Sequence, residues 1–134
     1  MTLAELRTDS VILACAISAG IHGALVPDHF EEGAGAGLGF VVAAVLLAGL
    51  AVVLTRNPTQ LALLAAIAVF AGLIASYALA ITTGLPLVHP EQEAVAGLAL
   101  FSKGVEAVGL LLAAGLVRRP SLSINLTQPK GTLT

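Results

Sequence analysis

The sequence predicts an all-α integral membrane protein, a four-helix bundle with both its N- and C-termini in the cytoplasm. Three observations carry this. Hydrophobic residues fill 57% of the 134 positions and charged residues only 10%, too little polar surface to keep an isolated domain dissolved. Four apolar runs of about membrane-crossing length occupy nearly the whole chain. The Lys and Arg residues outside those runs all fall on one side of the membrane.

The first run, 11–26, follows Arg7 and stops at Pro27. Its helical length of about 24 Å is short for a bilayer, so Asp9 and Ser10 or the next turn must complete the crossing. Glu5 and Asp9 spoil the basic leader that a cleaved signal would need, and Ile12-Leu13-Ala14-Cys15 has too few apolar residues before it for a lipoprotein box. The second run, 34–54, carries no charge and opens among Gly33, Gly35, Gly37 and Gly39. Asn57-Pro58 reads as an N-cap and first helical residue for the third run, 61–81, which ends at Gly84-Leu85-Pro86. His89-Pro90, followed by Glu91 and Glu93, reads as the start of the fourth, which closes at Arg118-Arg119-Pro120. The expected organisation is therefore one domain, 1–120, with spans near 10–27, 34–55, 59–83 and 91–117, and a polar cytoplasmic tail, 121–134, expected to be disordered.

With the N-terminus inside, Arg7, Arg56, Arg118, Arg119 and Lys130 all face the cytoplasm, and the outward loops contain no Lys or Arg. Those loops hold Asp28, His29, Glu31 and Glu32 in the first and His89, Glu91 and Glu93 in the second, so every histidine lies at or near the outer face. Small-residue steps, Gly35 to Gly39, Ala68 to Gly72 and Ala71 to Ala75, are expected to let helix backbones approach closely. A net charge of -2 gives no basic field for nucleic acid, and the single Cys15 excludes an intrachain disulfide.

Ionisable residues within a span carry the chemistry. Lys103 and Glu106 lie three residues apart in the fourth run, on one helical face, and a lipid-facing Lys103 would cost about 3 kcal/mol. Their face, extended through Gln92, Ala96, Ala99 and Ala113, should turn inward. The first span adds a stripe of Cys15, Ser18 and His22; the third adds Ser76 and Thr83 with Tyr77 beside them; the second adds nothing polar. Measured inward by helical rise, His22 lies about 6 Å deep, Tyr77 about 9 Å, Ser18 about 12 Å, Lys103 about 15 Å and Glu106 about 20 Å. Convergence of these stripes would make a polar pocket of Ser18, Ser76, Tyr77, Lys103 and Glu106, open to the outside. The pair itself reads equally as an ion pair that fixes helix register and as a ligand or proton site.

The histidines offer a second chemistry. His22 and His29 are seven residues apart and share a face if helicity continues past Pro27. Imidazoles with carboxylates suit zinc, copper, nickel or iron, and His22, His29, Glu32 and His89 are the expected ligands. Neither His-x-x-Glu-His nor His-Glu-x-x-His occurs, and there is no serine triad, phosphate loop or haem-attachment motif. The sequence therefore reads as a non-enzymatic membrane protein that binds a transition metal or another small ligand at its extracytoplasmic face and passes it to the Lys103 and Glu106 pocket. The alternatives are an accessory or structural subunit, forming a homo-oligomer or packing on a partner membrane protein, and a proton-coupled transporter or membrane enzyme using Glu106.

The strings running from Ser18-Ala-Gly-Ile-His22 to Pro27-Asp-His29-Phe-Glu, and from Leu87-Val-His89-Pro-Glu91 to Phe101-Ser-Lys103-Gly-Val-Glu106, resemble those of small four-span membrane proteins of high-GC actinobacteria. The resemblance covers about residues 10–117. It implies the same topology and the same polar positions, and no substrate.

Overall fold

The computed structural model describes residues 1–85 and 94–117. His89, Glu91, Gln92, Glu93, Arg118, Arg119 and the 121–134 tail lie outside the described residues. Four helices make up the fold: α1 (Leu3–Glu32), α2 (Ala34–Arg56), α3 (Gln60–Thr82) and α4 (Gly97–Val117), each long and apolar enough to cross a membrane. They run up and down. α1 packs most extensively on α2 and then on α4, and α3 packs on α4; α2 and α3 touch least. One end of the bundle is marked by the turn at Gly33, the other by the turn through Asn57.

The helix boundaries correct three expectations. α1 does not stop at Pro27 but continues to Glu32, and it starts at Leu3 under a reciprocal cap in which Thr2 accepts the Glu5 N–H and Glu5 accepts the Thr2 N–H. No breaker lies between that cap and Pro27, whose missing N–H removes only one helical hydrogen bond, a loss that membrane helices tolerate. At its thirty residues α1 is about 45 Å long, so the first span is not short. The N-cap of α3 is Thr59, whose Oγ1 accepts the Ala62 N–H, rather than Asn57; Asn57 instead closes α2 by donating its N–H to the Val53 carbonyl. α4 begins at Gly97, six positions later than the 91–117 span expects, with 94–96 outside any helix. The end of α3 agrees with expectation: Thr83 donates to the Leu79 carbonyl and Gly84, at φ 73°, takes the left-handed conformation that terminates the helix.

The core is wholly apolar over the half of the bundle towards the Asn57 end. Val11, Ala14 and Cys15 of α1, Leu47 and Leu54 of α2, Ala62, Leu63, Ala66 and Phe70 of α3 and Ala113 of α4 form one buried apolar cluster. Phe70, fully buried, lies against Gly109 and Ala14 and joins three helices. Close backbone approach therefore occurs at Gly109, and again at Gly37 beneath the Phe30 ring, and not at the small-residue steps the sequence singles out. Gly35, Gly39, Ala68, Ala71, Gly72 and Ala75 are exposed, with open space around Gly39 and Gly72. A small residue draws helices together only where a large side chain opposite fills the room it leaves.

A methyl group at Gly109 would lie 2.7 Å from the Phe70 ring and 2.9 Å from the Ala14 Cβ. Gly109→Val should therefore overpack the bundle centre and cost about 1–3 kcal/mol, read as a lowered midpoint of thermal unfolding in detergent, whereas Gly72→Ala should leave it unchanged.

Candidate functional site

The site is built on the phase of α1 and α4. Ser18, His22 and His29 recur at steps of four and seven along α1 and so share one face; on α4, Ser102 and Glu106 are one turn apart with Lys103 beside them. Where these faces meet, the Glu106 side chain is wholly buried. An unpartnered carboxylate there would be prohibitively costly, and three donors satisfy it. Ser18 Oγ donates to Oε1 across the helix interface at 2.8 Å, Ser102 Oγ to the same oxygen at 3.1 Å, and Lys103 Nζ to Oε2 at 2.6 Å. The Ser18 bond ties α1 to α4 at this level.

His22 completes the cluster. Its Nδ1 lies 2.8 Å from the Ser18 carbonyl, to which it donates, so in the neutral ring the lone pair sits on Nε2. That Nε2 is 3.9 Å from Glu106 Oε1, beyond hydrogen-bond reach but close enough for a protonated ring to be attracted to the carboxylate. His29 repeats the arrangement one level higher: Nδ1 faces the Leu25 carbonyl at 2.9 Å and Nε2 lies 4.0 Å from Glu32. The Phe40 ring of α2 serves both histidines, stacking on His29 with centroids 3.5 Å apart and standing 5.2 Å from His22 at a tilt.

Above Glu106 the described helices leave an open-sided cavity. A cavity of about 630 Å³ runs from Lys103 and Ser102 up to His29 and Glu32 at the Gly33 end. Its walls are apolar, including Leu25, Phe40, Ala43, Leu73, Leu98 and Ala99. Polar groups gather at the floor and one side, where His22, Ser76, Tyr77 and Lys103 line it. Lys103 Nζ lies 5.8 Å from the centre of the Tyr77 ring. The Tyr77 hydroxyl is buried and has no hydrogen-bond partner among the described residues.

Of the pocket expected from sequence, Ser18, Lys103 and Glu106 come into direct contact, and Tyr77 and Ser76 line the space beside them. Thr83 stays local, bonding to the Leu79 carbonyl. Ser102 and Phe40 went unseen. Ser102 had a usable signal, a hydroxyl one turn before an intramembrane carboxylate; Phe40, an aromatic in an all-apolar run, had none. Helicity does pass Pro27, so His22 and His29 share a face, but seven residues separate them by about 10 Å of rise, too far for one ion bound at about 2 Å from each nitrogen. Among the described residues each faces a single carboxylate. Among the described residues no three of His, Cys, Asp and Glu group as a metal site needs. His89 lies outside the described residues.

No protein family, curated protein or solved structure matches the chain. The site's own geometry is what bears on function.

Removing one member of the buried pair should be worse than removing both. Lys103→Met strands the Glu106 carboxylate and should cost about 3–5 kcal/mol, and the Lys103→Met, Glu106→Gln double variant should recover much of that loss. A double-mutant cycle on unfolding in detergent measures the difference.

Proposed function

We propose that this protein binds a small ligand from the extracytoplasmic side of the membrane, in the cavity that ends on Lys103 and Glu106. The observation that carries the reading is the division of the bundle. One half is filled by Phe70 and its apolar neighbours, while the other borders an open-sided cavity of about 630 Å³ with polar groups collected at its floor. A concave, mostly apolar space with a few convergent polar groups is the usual form of a small-molecule site. Packing alone does not require such a volume, since apolar residues of the same helices fill the centre of the other half.

The side of entry follows from charge. Arg7 and Arg56 lie at the Asn57 end, and the segments at the Gly33 end contain no Lys or Arg, so the positive-inside rule turns the cavity outward. Of the two ligand classes the sequence raises, the geometry favours a small organic molecule over a transition metal. Among the described residues each histidine faces one carboxylate, whereas the cavity presents a large apolar wall that a bare ion would not use. The apolar layer around Phe70 below the floor suits holding a ligand better than conducting one.

Two measurements test this. Protein purified in mild detergent should release a bound small molecule on denaturation, detected by mass spectrometry, and Ala99→Phe, which fills the wall one turn from Lys103, should lose it. Ser76→Cys, at the cavity wall, should react with a membrane-impermeant maleimide in intact cells, while the fully buried Cys15 stays silent. Labelling only after permeabilisation would reverse the orientation, and identical extracts from wild type and Ala99→Phe would remove the site.

A further inference from the structure

The cavity is open at its side, and the phase of two helices locates the opening. On α2, Leu50 and Gly39 are eleven positions apart, close to three turns, and so lie on one face. On α3, Val69 and Ser76 are seven positions apart, close to two turns, and share a face in the same way. Leu50 and Val69 are half-buried and pack on the apolar core, so both faces are covered at their level. Gly39 and Ser76, further towards the Gly33 end, are exposed, and both line the cavity. A Cβ at Gly39 would meet nothing within 4 Å. α2 and α3, which touch least of the neighbouring helices, therefore part towards the Gly33 end, and the cavity opens between them.

This opening lies at the depth of lipid chains. α2 and α3 have 23 residues each, about 34 Å of helix, a little more than the thickness of a bilayer's hydrocarbon layer. Gly39 and Ser76 stand about 8–9 Å inside the ends of their helices, within that layer. Leu38, Val42 and Leu79, which flank the opening, are large, apolar and exposed, as contact with lipid requires. A molecule dissolved in the leaflet at the Gly33 end thus reaches the cavity without passing Asp28, Glu31 and Glu32 in the last turn of α1. Inside, Leu25, Phe40, Leu73 and Leu98 continue the apolar surroundings it leaves.

Resting on the ligand-binding reading of the cavity, we propose that its ligand comes from the bilayer rather than from water. The occupant is the acyl chain of an amphiphile in the leaflet at the Gly33 end, which passes between Gly39 and Ser76 and lies along the apolar wall. Binding involves no covalent step.

Tyr77 lines the cavity and is the chain's one tyrosine; there is no tryptophan, so its fluorescence reports on this site alone. The full chain is reconstituted in phosphatidylcholine nanodiscs, and mid-chain bromine, a short-range quencher, is supplied in two forms. It is carried either on the acyl chains of the phosphatidylcholine itself or on free dibromostearic acid in unbrominated discs. Quenching by the first identifies a phospholipid's own chain as the occupant, and quenching by the second alone a free fatty acid. Gly39→Phe, which the open space there accommodates, should block the opening and restore most of the emission, and Ser76→Phe should do the same. Ala96→Phe, at the exposed end of the cavity where α4 begins, should not. Quenching that survives both Gly39→Phe and Ser76→Phe in proteins with wild-type thermal midpoints, or that only Ala96→Phe relieves, would overturn entry from the bilayer. Near-complete disulfide dimerisation of Gly39→Cys in native membranes would overturn it too, by placing a second copy over the opening. If neither probe quenches Tyr77 but wild type still releases a molecule that Ala99→Phe lacks, the acyl-chain assignment fails and the cavity reading survives. If no molecule is released either, both fail.

Discussion

Placing a carboxylate in the middle of a membrane bundle leaves little freedom in how the bundle can be arranged. Glu106 has no exposure at all, and every acceptor position it offers must be met from within the protein. Ser102 and Lys103 come with it on α4, but the Ser18 hydroxyl must arrive from α1, which fixes both the rotation of α1 and its height against α4. His22 and His29 follow from that rotation, because they ride the same face of the same helix. Phe40 then meets both rings, so α2 is set by the histidines it touches. Such a cluster contributes more to uniqueness of arrangement than to net stability, since the charges must first be desolvated.

Much of this was legible from residue type and spacing. The four spans follow from hydropathy, and the inward turn of Lys103 and Glu106 follows from the cost of exposing them to lipid. The stripe of Cys15, Ser18 and His22 is buried as its spacing implied. What could not be read depends on tertiary partners. Pro27 is a helix breaker by propensity, yet α1 runs through it; Asn57 and Thr59 are both good caps, and only the chain's path decides that Asn57 closes one helix and Thr59 opens the next. Small residues announce the capacity for close packing but not its location, which is set by where Phe70 lies. The spread of the two histidines along α1 was computable from rise alone, and so was the pairing of His29 with Glu32 three residues on; the partner of His22 was not, because Glu106 comes from a helix more than eighty positions away.

The cavity owes its shape to the same constraints. α1 and α2 are joined through Gly33 alone, and Phe30 closes over Gly37 at that corner, so this hairpin is tight at its tip. α3 and α4 are joined by a much longer segment, 83–96, and α2 touches α3 least of the neighbouring pairs. The space left between the hairpins is lined by whichever faces point there: alanine and leucine for the most part, with Tyr77 and Lys103 low down.

The layer centred on Phe70 shares none of its buried apolar residues with the cavity lining, apart from neighbours such as Leu73 that flank it. Holding the helices together and shaping the hollow are thus assigned to different sets of side chains along the same four helices. A lineage could exchange wall residues such as Leu25, Leu98 or Ala99, and so retune what the bowl accepts, without disturbing the base that keeps the helices in register. Selection on the two halves would then leave different signatures: slow, volume-conserving change below Glu106 and freer change in the size of the lining above it.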